Sequence, residues 1–285
     1  MREVFCEAIG KAVILPEKCE KIVSFSPSIT EALFEMGIGS KIVGVSVYCV
    51  RPEEARKKVI VGSYSTFKKE KLKELNPDII FTTTGYQLEF AKKLSEDFPV
   101  YAIRLPTNLA DVISTCCEAG LVAGYYEQAR KLEKKLLSKI HENISDLKND
   151  EEKKISIYVE IDLGGPITFG AYSYITDTLE LLGFKNIFGQ IGKEWLKPDE
   201  EYIKEKNPEI IIYEPKMFSK RRDKNEIIEK LTKRFGKIKA IEDGNVFITP
   251  GIYDFLAHHG PSLINEVIPW LKEIKRIFLI KKKNN

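Results

Sequence analysis

Several features that commonly reveal a protein's function are missing from this chain of 285 residues. Its five cysteines are an odd number and form no Cys-x-x-Cys pair, which argues against a disulfide framework and a structural zinc site. The first residues contain no apolar run long enough for a signal peptide or a membrane span. P-loops, Gly-x-Ser-x-Gly elbows, His-Glu-x-x-His motifs and dinucleotide fingerprints are also absent, so the sequence offers no signature of catalysis.

The chain also lacks an excess of charge of one sign. Its 45 Lys and Arg residues against 42 Asp and Glu residues leave a net charge of +3, and a run of three lysines at residues 281–283 lies near the end. A balanced surface creates no field for nucleic acid, and we expect no nucleic-acid partner. Hydrophobic residues make up 43% and charged residues 31% of the chain. This composition and length suit a soluble protein of two α/β domains, with the thiols buried or idle.

Two phrases of the sequence occur twice in the same order. Residues 28–37 read SITEALFEMG and residues 174–183 read YITDTLELLG, while NPDIIF at residues 76–81 returns as NPEIII at residues 207–212. Helix starts and turns resemble one another in many proteins. Two matched pairs in one order nevertheless favour a doubled architecture.

The first half of the chain alternates short apolar runs with amphipathic stretches. Its predicted strands lie at residues 21–26, 41–46, 79–82 and 98–103. The first helix is predicted to begin at Ser28, where Ser28 and Glu31 fit a capping box that gives Glu31 a structural role. Another helix is predicted from Arg51, with Pro52 in its first turn. Strands that alternate with helices predict a parallel sheet covered on both faces.

A long helix is predicted between the two halves. Residues 124–147 keep an apolar stripe at helical spacing, and a polar run at residues 148–154 follows. In the second half, strands are predicted at residues 155–161, 210–213 and 246–248, and helices at residues 176–182, 199–206, 225–235 and from 262 onward. The expected fold is α/β, with two Rossmann-like lobes of mainly parallel sheets joined by one long helix. The expected boundaries are residues 1–122, 123–150 and 151–285.

Four segments carry a resemblance to one known family. They are residues 21–46, which include SPSITE and GIGSKIVGV, residues 61–83, which include VGSY and LNPDII, and residues 178–189 and 202–213. They resemble the class III substrate-binding proteins of ABC importers, which serve cobalamin, ferric siderophores and haem. The similarity extends from about residue 12 to residue 271 and is greatest to the cobalamin-binding branch.

The resemblance implies a non-enzymatic protein without a resident cofactor, whose ligand is a corrinoid or an iron chelate. It also implies a monomer that works with an ABC permease and its ATPase. The expected location is extracytoplasmic, at the cell surface or in the periplasm. Because the first residues show no export signal, a cytoplasmic location is the alternative.

Ligand-binding residues are expected just past the strands, because two-lobe α/β proteins bind ligands in a cleft at strand carboxyl ends. The candidates in the first lobe are Ser26, Pro27, Ser28, Tyr48, Tyr64, Thr83 and Tyr86. Those in the second lobe are Tyr172, Tyr174, Trp195, Tyr253, Phe255, His258 and His259. The set is rich in aromatic rings and poor in charge. Such a surface suits a large flat chelate better than a sugar or an amino acid.

Three of these residues need further comment. Trp195 lies in a Gly- and Lys-rich loop, and the family's cobalamin binders carry a tryptophan in the matching loop, whereas Trp270 is interpreted as core. His258 and His259 are adjacent, and neutral imidazoles can bind a metal or haem iron. Without a third ligand nearby in the sequence, however, we predict no metal site. Hydrogen bonding to a ligand or closure of a loop is the more frequent role of such residues.

The resemblance also implies a docking surface. In the family, one glutamate on each lobe pairs with arginines of the permease. The matching residue of the second lobe is Glu201, which stands six residues after Trp195 at the start of a predicted helix. For the first lobe we select Glu89. The competing interpretation is that both are solvated carboxylates that stabilise a helix start.

We therefore expect a protein that captures cobalamin or a related metal chelate between two lobes and delivers it to a permease. Binding of a ferric siderophore or haem within the same family is one alternative. A chelatase-type enzyme of similar architecture is another, since such an enzyme would change the metal content of its ligand. A third is a cytoplasmic sensor or store that binds the same ligand without an importer.

Overall fold

The computed structural model describes residues 1–145, 154–219 and 223–284. The chain forms two compact units. Unit 1 consists of Met1–Pro106 and Ala110–Ser138, and unit 2 of Thr107–Leu109 and Lys139–Asn285. The boundaries predicted after residues 122 and 150 stay predictions. Residues 146–153, which end the predicted helix and hold most of the polar run, lie outside the described residues.

Unit 1 contains the first half of the secondary structure. Its strands are β1 (Arg2–Cys6), β2 (Lys11–Leu15), β3 (Ile22–Ser24), β4 (Ile42–Ser46), β5 (Val59–Gly62), β6 (Ile79–Thr83) and β7 (Val100–Ile103). Its helices are α1 (Pro27–Glu35), α2 (Lys69–Leu75), α3 (Leu88–Leu94), α4 (Leu109–Val122) and α5 (Tyr126–Ile144), the last two being shared with unit 2. Short 3₁₀ turns lie at Gly39–Lys41, Glu53–Lys57 and Gly85–Gln87. The helix predicted from Arg51 is thus a 3₁₀ turn preceded by Pro52.

Five strands of unit 1 form one parallel sheet in the order β5-β4-β3-β6-β7. Val23, Phe25 and Ile80 are fully buried and pack in one core with Leu72 of α2. The covered parallel sheet predicted for this half is confirmed. Because the five strands run in one direction, their carboxyl ends all reach the same edge of the sheet.

The predicted capping box at the start of α1 is wrong. Ser26 is the N-cap, and its hydroxyl accepts a hydrogen bond from the Ile29 amide at 3.5 Å. Pro27 occupies the first helical position, where a missing N–H costs nothing. Ser28 lies inside the helix, and its hydroxyl is 2.9 Å from that of Ser26. The helix therefore starts one residue earlier than predicted, and Ser28 cannot cap it with Glu31.

A glycine separates α4 from α5. Gly124 has φ +87°, and a Cβ there would overlap the carbonyl oxygen of Glu17, so both conformation and space require glycine. The predicted helix of residues 124–147 therefore begins at Tyr126, and α5 ends at Ile144. Residues 146 and 147 lie outside the described residues. The predicted apolar stripe is confirmed at Ala129, Leu132 and Leu136, which are buried.

Unit 2 contains the remaining elements. Its strands are β8 (Ile155–Asp162), β9 (Pro166–Phe169), β10 (Phe184–Asn186), β11 (Trp195–Leu196), β12 (Ile210–Glu214) and β13 (Val246–Ile248). Its helices are α6 (Tyr174–Leu181), α7 (Glu200–Lys206), α8 (Lys224–Phe235), α9 (Lys239–Glu242) and α10 (Ile268–Asn284), with a π-helical turn at Leu263–Val267 before α10. No helix within the described ranges is long and apolar enough to cross a membrane.

The sheet of unit 2 is mainly parallel. Its order is β11-β9-β8-β12-β13, and β10 also pairs with β8. Strands β8, β10, β12 and β13 run parallel, whereas β9 is antiparallel to both β8 and β11. Ile211 of β12 and Tyr158 of β8 lie in a buried core with Leu231 and Phe235 of α8. The predicted α/β class with mainly parallel sheets is confirmed. The antiparallel ribbon of β9 and β11 was not predicted from the sequence.

The repeated phrases form the same local structures in both units. Asn76 ends α2 at φ +45° and Asn207 ends α7 at φ +42°, and each is followed by proline and a buried strand. Asparagine tolerates this left-handed conformation better than most residues because its short side chain bonds locally. Gly37 and Gly183 likewise follow α1 and α6 with φ +76° and +82°. The repetition in the sequence is therefore a repetition of helix, turn and strand.

The five cysteines are free and buried, as predicted. Burial raises the pKa of Cys19 to about 11 and that of Cys117 to about 12. Thiols held neutral in this way react poorly, because the thiolate is the nucleophile. Cys6 lies on the buried face of the antiparallel β1-β2 hairpin, another element that the sequence did not predict.

Candidate ligand-binding site

Three tyrosines lie at the carboxyl edge of the sheet in unit 1. Tyr48 follows β4, Tyr64 follows β5 and Tyr86 follows β6. Tyr86 is 80% exposed and Tyr48 is 36% exposed. The rings of Tyr64 and Tyr86 stack with centroids 5.9 Å apart and planes 29° apart. The structure thus brings these predicted residues to one edge, where their rings offer a flat apolar surface.

A buried glutamine fastens the loops that carry these tyrosines. Gln87 is fully buried, and its Oε1 accepts hydrogen bonds from the Thr83 amide at 3.1 Å and the Thr83 hydroxyl at 3.0 Å. Its Nε2 donates to the carbonyl oxygens of Tyr64 at 2.9 Å and Phe25 at 3.4 Å. One amide therefore joins the ends of three strands. No pattern in the sequence points to Gln87, and its role was not predicted.

The predicted serines and threonine of unit 1 lie beneath this surface. Ser26, Ser28 and Thr83 are 2%, 1% and 1% exposed. The Ser26 carbonyl accepts hydrogen bonds from the hydroxyls of Ser24 at 3.0 Å and Thr30 at 2.9 Å. Pro27 is half-buried at the start of α1. These residues shape the loop, and their contact with a ligand stays a prediction.

Two exposed aromatic residues of unit 2 lie on the ribbon formed by β9 and β11. Trp195 pairs with Phe169 across this ribbon and is 59% exposed, and Tyr172 is 60% exposed. The Tyr172 amide donates to the carbonyl oxygen of Lys193 at 3.1 Å. A Cβ on Gly170 would overlap the carbonyl oxygens of the facing chain, so a glycine is needed there. Backbone hydrogen bonds therefore hold the chain that carries both side chains, and the side chains themselves are largely exposed.

The segment of residues 253–259, here called the β13 loop, is fastened by Glu214. This fully buried carboxylate ends β12. Its Oε2 accepts hydrogen bonds from the amides of Phe255 at 3.1 Å and Leu256 at 2.5 Å, and its Oε1 accepts one from Ala257 at 3.2 Å. Burial raises the pKa of Glu214 to about 7 against these hydrogen bonds, which lower it. The strand predicted from the sequence ended at Tyr213, and Glu214 was given no role.

Two predicted aromatic residues support the β13 loop from inside. Tyr174 is 8% exposed, and its hydroxyl donates to the carbonyl oxygen of Leu256 at 2.7 Å. Phe255 is 4% exposed and packs edge-on against Trp270, with ring centroids 5.3 Å apart. Trp270 is half-buried in this packing, in keeping with its predicted core role. Both side chains hold the loop, and any contact of theirs with a ligand stays a prediction.

The histidine pair belongs to the same loop. His258 is 6% exposed, and the His259 ring lies edge-on to Tyr174 with centroids 5.9 Å apart. Burial lowers the pKa of His259 to about 3, with neighbouring His258 adding to the shift, so this imidazole is neutral at physiological pH. Among the described residues, no group of three His, Cys, Asp or Glu side chains could hold a metal ion.

The structure adds an aromatic residue that the sequence analysis missed. Phe218 is 49% exposed, and its ring lies edge-on to Tyr253 with centroids 5.8 Å apart. It has φ +64°, and its amide donates to the carbonyl oxygen of Ile252 at 2.8 Å. Such a conformation is costly for a residue with a bulky side chain. Its position four residues past β12 was the signal that could have identified it.

The two predicted docking glutamates have the same local structure. Glu89 lies in the first turn of α3 with its side chain 82% exposed, and its carboxylate pairs with Lys92 at 2.7 Å. Glu201 lies in the first turn of α7 with its side chain 83% exposed, and it pairs with Lys204 at 2.7 Å. Exposed pairs of this kind contribute little to stability. Both carboxylates are accessible to a partner, and their docking role stays a prediction.

A groove of about 180 Å³ lies elsewhere in unit 1. Its lining residues are Ile9, Lys11, Ala12, Val13, Ile14, Ser95, Phe98, Pro99 and Val100. These come from β2 and from the chain entering β7, which is the amino end of that strand. The groove is smaller than typical ligand pockets of about 300–1,000 Å³. The three tyrosines are not among the residues that line the groove. We prefer the tyrosine surface as the candidate binding site because it lies at the carboxyl edge of the sheet.

The chain is similar in sequence to known binding proteins. An uncharacterized ABC transporter substrate-binding lipoprotein of Bacillus subtilis, YvrC, is 26% identical over 271 residues, covering 92% of this chain and 82% of the relative. A vitamin B12-binding protein of Yersinia pestis is 23% identical over 198 residues, covering 69% of this chain and 70% of the relative.

One solved structure is similar to this chain over most of its length. The structure of a possible iron-binding (periplasmic solute-binding) protein from Staphylococcus epidermidis is 26% identical and superimposes with a TM-score of 0.75, covering 90% of this chain and 98% of that chain. The periplasmic binding protein family matches residues 22–253, which is most of the chain. The protein therefore belongs to the periplasmic binding protein family.

Proposed function

We propose that this protein is the substrate-binding component of an ABC transporter and that it captures cobalamin or a related bulky metal chelate. Membership of the periplasmic binding protein family supports a role in binding a solute. The substrate-binding lipoprotein of Bacillus subtilis and the vitamin B12-binding protein of Yersinia pestis support the transporter and the corrinoid. The protein would return its ligand unchanged to a permease.

The observation that carries the choice of ligand is the exposure of aromatic rings at the predicted sites. Tyr86, Tyr172 and Trp195 are 80%, 60% and 59% exposed, although aromatic side chains of this size are usually buried. Backbone hydrogen bonds fix the ribbon that holds Trp195 and Tyr172, and stacking on Tyr64 orients Tyr86. Exposed rings carried by a fastened backbone offer a surface that suits a flat macrocycle.

The direct test is retention of a coloured ligand. The protein is incubated separately with cyanocobalamin, haemin and a ferric siderophore, desalted, and its visible spectrum recorded. We expect the bands of cyanocobalamin to elute with the protein at a stoichiometry near one. Binding of a sugar or a free amino acid, with no chelate retained, would contradict the proposal.

An iron chelate is the second candidate ligand. It is favoured by the solved structure from Staphylococcus epidermidis, which is described as a possible iron-binding protein. Aromatic rings also suit the catecholate or macrocyclic groups that surround chelated iron. Retention of the ferric siderophore or haemin with loss of cyanocobalamin in the desalting experiment would select this alternative.

We further propose an extracytoplasmic location and docking through Glu89 and Glu201. The location is supported by family membership and by the lipoprotein relative. The docking role is supported by the exposure of both carboxylates and by their matching positions in the first turns of α3 and α7. Carboxylates so placed can exchange an exposed lysine partner for an arginine of a permease.

A further inference from the structure

Glu214 is a buried acid that belongs to no group of three possible metal ligands among the described residues. It is the last residue of β12, and none of its surface is exposed. Burial of a carboxylate is expensive unless hydrogen bonds replace the lost water. Here the replacement consists of three consecutive backbone N–H groups of the β13 loop. These three bonds all go to the backbone of the β13 loop, so the role of the carboxylate must be sought in that loop.

The backbone of the loop explains why an acid is used. Three successive N–H groups that converge on one point cannot be paired by a strand, whose N–H groups alternate in direction. A carboxylate can accept all three because it has two oxygens and no donor. On the same loop, the Tyr174 hydroxyl holds the carbonyl group of Leu256. Glu214 thus accepts from the N–H group of Leu256, and Tyr174 donates to the carbonyl group of the same residue.

The β13 loop begins with residues that the proposed function needs. Tyr253 is half-buried, its ring packs against exposed Phe218, and Ile252 beside it is 48% exposed. Only Asp254 separates Tyr253 from residues 255–257, so the backbone of those residues helps to place Tyr253. That backbone is held by Glu214.

We propose that Glu214 is a positioning residue for ligand binding, which holds the β13 loop so that Tyr253 and Phe218 present one aromatic surface. This inference rests on the proposed function and names a residue for it that never touches the ligand. Loss of the carboxylate would leave the rings of Tyr253 and Phe218 chemically unchanged but free to move. Affinity would fall because the ligand would then have to order the loop.

The charged groups around Glu214 determine how protonation affects the loop. Asp254 beside it raises its pKa further, and the three backbone hydrogen bonds lower it. His258 and His259 follow in the same loop, and His259 is neutral at physiological pH. On the preceding residue of β12, the Tyr213 hydroxyl contacts Lys230 at 2.9 Å and Asp162 of the neighbouring β8 at 3.4 Å. Burial nevertheless has the largest influence on the pKa of Glu214, which it raises.

Linkage then gives the direction of the pH effect. Opening of the loop would hydrate Glu214 and return its pKa from about 7 toward the ordinary value of 4.5. The closed loop therefore binds the proton more tightly, and opening becomes easier as pH rises from about 4.5 to about 7. The difference between the two values corresponds to an increase of at most about 300-fold in the opening equilibrium. This dependence is specific to an ionisable group at position 214.

The test is hydrogen exchange of the intact protein, read on peptides that cover residues 253–259 at several pH values. After correction for the intrinsic chemistry of exchange, we expect opening of the wild-type loop to increase between pH 5 and pH 8. Glu214→Gln should exchange at least about 10-fold faster at pH 5, because the neutral acid of the wild type keeps acceptor lone pairs on both oxygens, whereas the NH2 group of the amide can only donate. The pH dependence should disappear in this variant.

The matched control is Glu160→Gln. Glu160 is also a buried carboxylate of the same sheet, 1% exposed, and it is bonded to Arg234 at 2.6 Å and Tyr158 at 2.5 Å. These hydrogen bonds go to β8 and α8 rather than to the β13 loop, so the exchange of that loop should stay as in the wild type even if global stability falls. Equal acceleration of the loop in both variants would reduce Glu214 to a general structural residue and overturn the proposal.

A second arm measures cyanocobalamin affinity by equilibrium dialysis. We expect Glu214→Gln to weaken binding by about 10-fold or more and Glu160→Gln to leave it within about 2-fold. If the wild type binds none of the chelates, the proposed function fails, while the exchange data still decide whether Glu214 holds the loop. If Glu214→Gln does not fold, exchange of the wild-type loop that is flat between pH 5 and pH 8 would overturn the proposal, and exchange that rises would support it.

Discussion

The two units fasten their candidate binding loops with different side chains. In unit 1, Gln87 donates to two carbonyl groups and accepts from one backbone amide. In unit 2, Glu214 accepts from three backbone amides and donates to none. A carboxamide can do both, whereas a carboxylate can only accept. The polarity of the backbone groups that need a partner therefore selects the side chain, even though both residues lie at the carboxyl edge of a parallel sheet.

The difference has an energetic consequence. A buried amide is neutral at every pH, so the fastening in unit 1 is independent of pH. The buried acid of unit 2 titrates with a pKa of about 7 because burial opposes its ionisation. Unit 2 thus combines stronger hydrogen bonds with a cost of holding charge away from water.

The largest expected effect is loss of stability when either fastening side chain is made apolar. Glu214→Leu leaves three buried N–H groups without an acceptor, and we expect the free energy of unfolding to fall by about 3–5 kcal/mol. Gln87→Leu leaves two carbonyl groups and one N–H, and should cost about 1–3 kcal/mol because carbonyl oxygens are more easily left under-satisfied. Urea denaturation at pH 8 measures both. A larger loss in Gln87→Leu would invert the comparison.

The next effect is the pH dependence of stability. The folded protein raises the pKa of Glu214 from 4.5 to about 7, so the folded state binds this proton more tightly than the unfolded chain. Stability from this group is therefore lost as pH rises through that window, by about 2–3 kcal/mol between pH 5 and pH 8. The difference in unfolding free energy between wild type and Glu214→Gln should change by this amount. A difference that is constant with pH would show that Glu214 does not titrate there.

A smaller effect is expected on affinity when single rings are removed from either unit. Tyr86→Ala and Trp195→Ala should each weaken cyanocobalamin binding by about 1–3 kcal/mol, with little change in stability because both side chains are largely exposed. Phe5→Ala, which removes a ring of 59% exposure from the β1-β2 hairpin, is the control and should leave binding unchanged. Equal losses in all three variants would place the ligand elsewhere.

The smallest effects on fold and ligand are expected from charge reversal at the docking glutamates. Glu89→Lys combined with Glu201→Lys should change stability and chelate affinity by no more than about 0.5 kcal/mol, since both side chains are exposed. Association with a cognate permease should be abolished, as like charges would then meet at the interface.

Glu70 supplies the control for this experiment. It also lies in the first turn of a helix, α2, with its side chain 79% exposed and paired to Lys73 at 3.5 Å. Glu70→Lys should leave association with the permease intact. Retained association in the Glu89 and Glu201 double variant would reject the docking role.

Much of the fold could be predicted because short stretches of the sequence determine where strands and helices begin and end. The buried run at β12 located that strand within one residue, and the helix predicted at residues 199–206 agrees with α7 within one residue. The capping box failed because Ser26 and Ser28 both fit a cap, and only Pro27 between them, fixed at the first helical position, decides which one serves. The two-residue strand β11 was missed since its pairing depends on the distant Phe169.

The candidate site was less predictable, for a physical reason. Position after a strand correctly brought Tyr48, Tyr64 and Tyr86 to one edge. It could not tell exposed rings from supporting ones, because Tyr172 and Tyr174 differ by two residues yet are 60% and 8% exposed. Gln87 and Glu214 could not be identified from the sequence, because their importance lies in hydrogen bonds to backbone groups far along the chain.

The most direct test of chelate capture is fluorescence titration with one tryptophan at a time. Trp270→Phe leaves Trp195, which is 59% exposed, as the sole tryptophan, and Trp195→Phe leaves the half-buried Trp270 as the reporter. With free tryptophan used to correct for absorption by the ligand, we predict saturable quenching by cyanocobalamin in Trp270→Phe and much weaker quenching in Trp195→Phe. No saturable quenching by cyanocobalamin, haemin or a ferric siderophore in Trp270→Phe would contradict the capture of a metal chelate at Trp195.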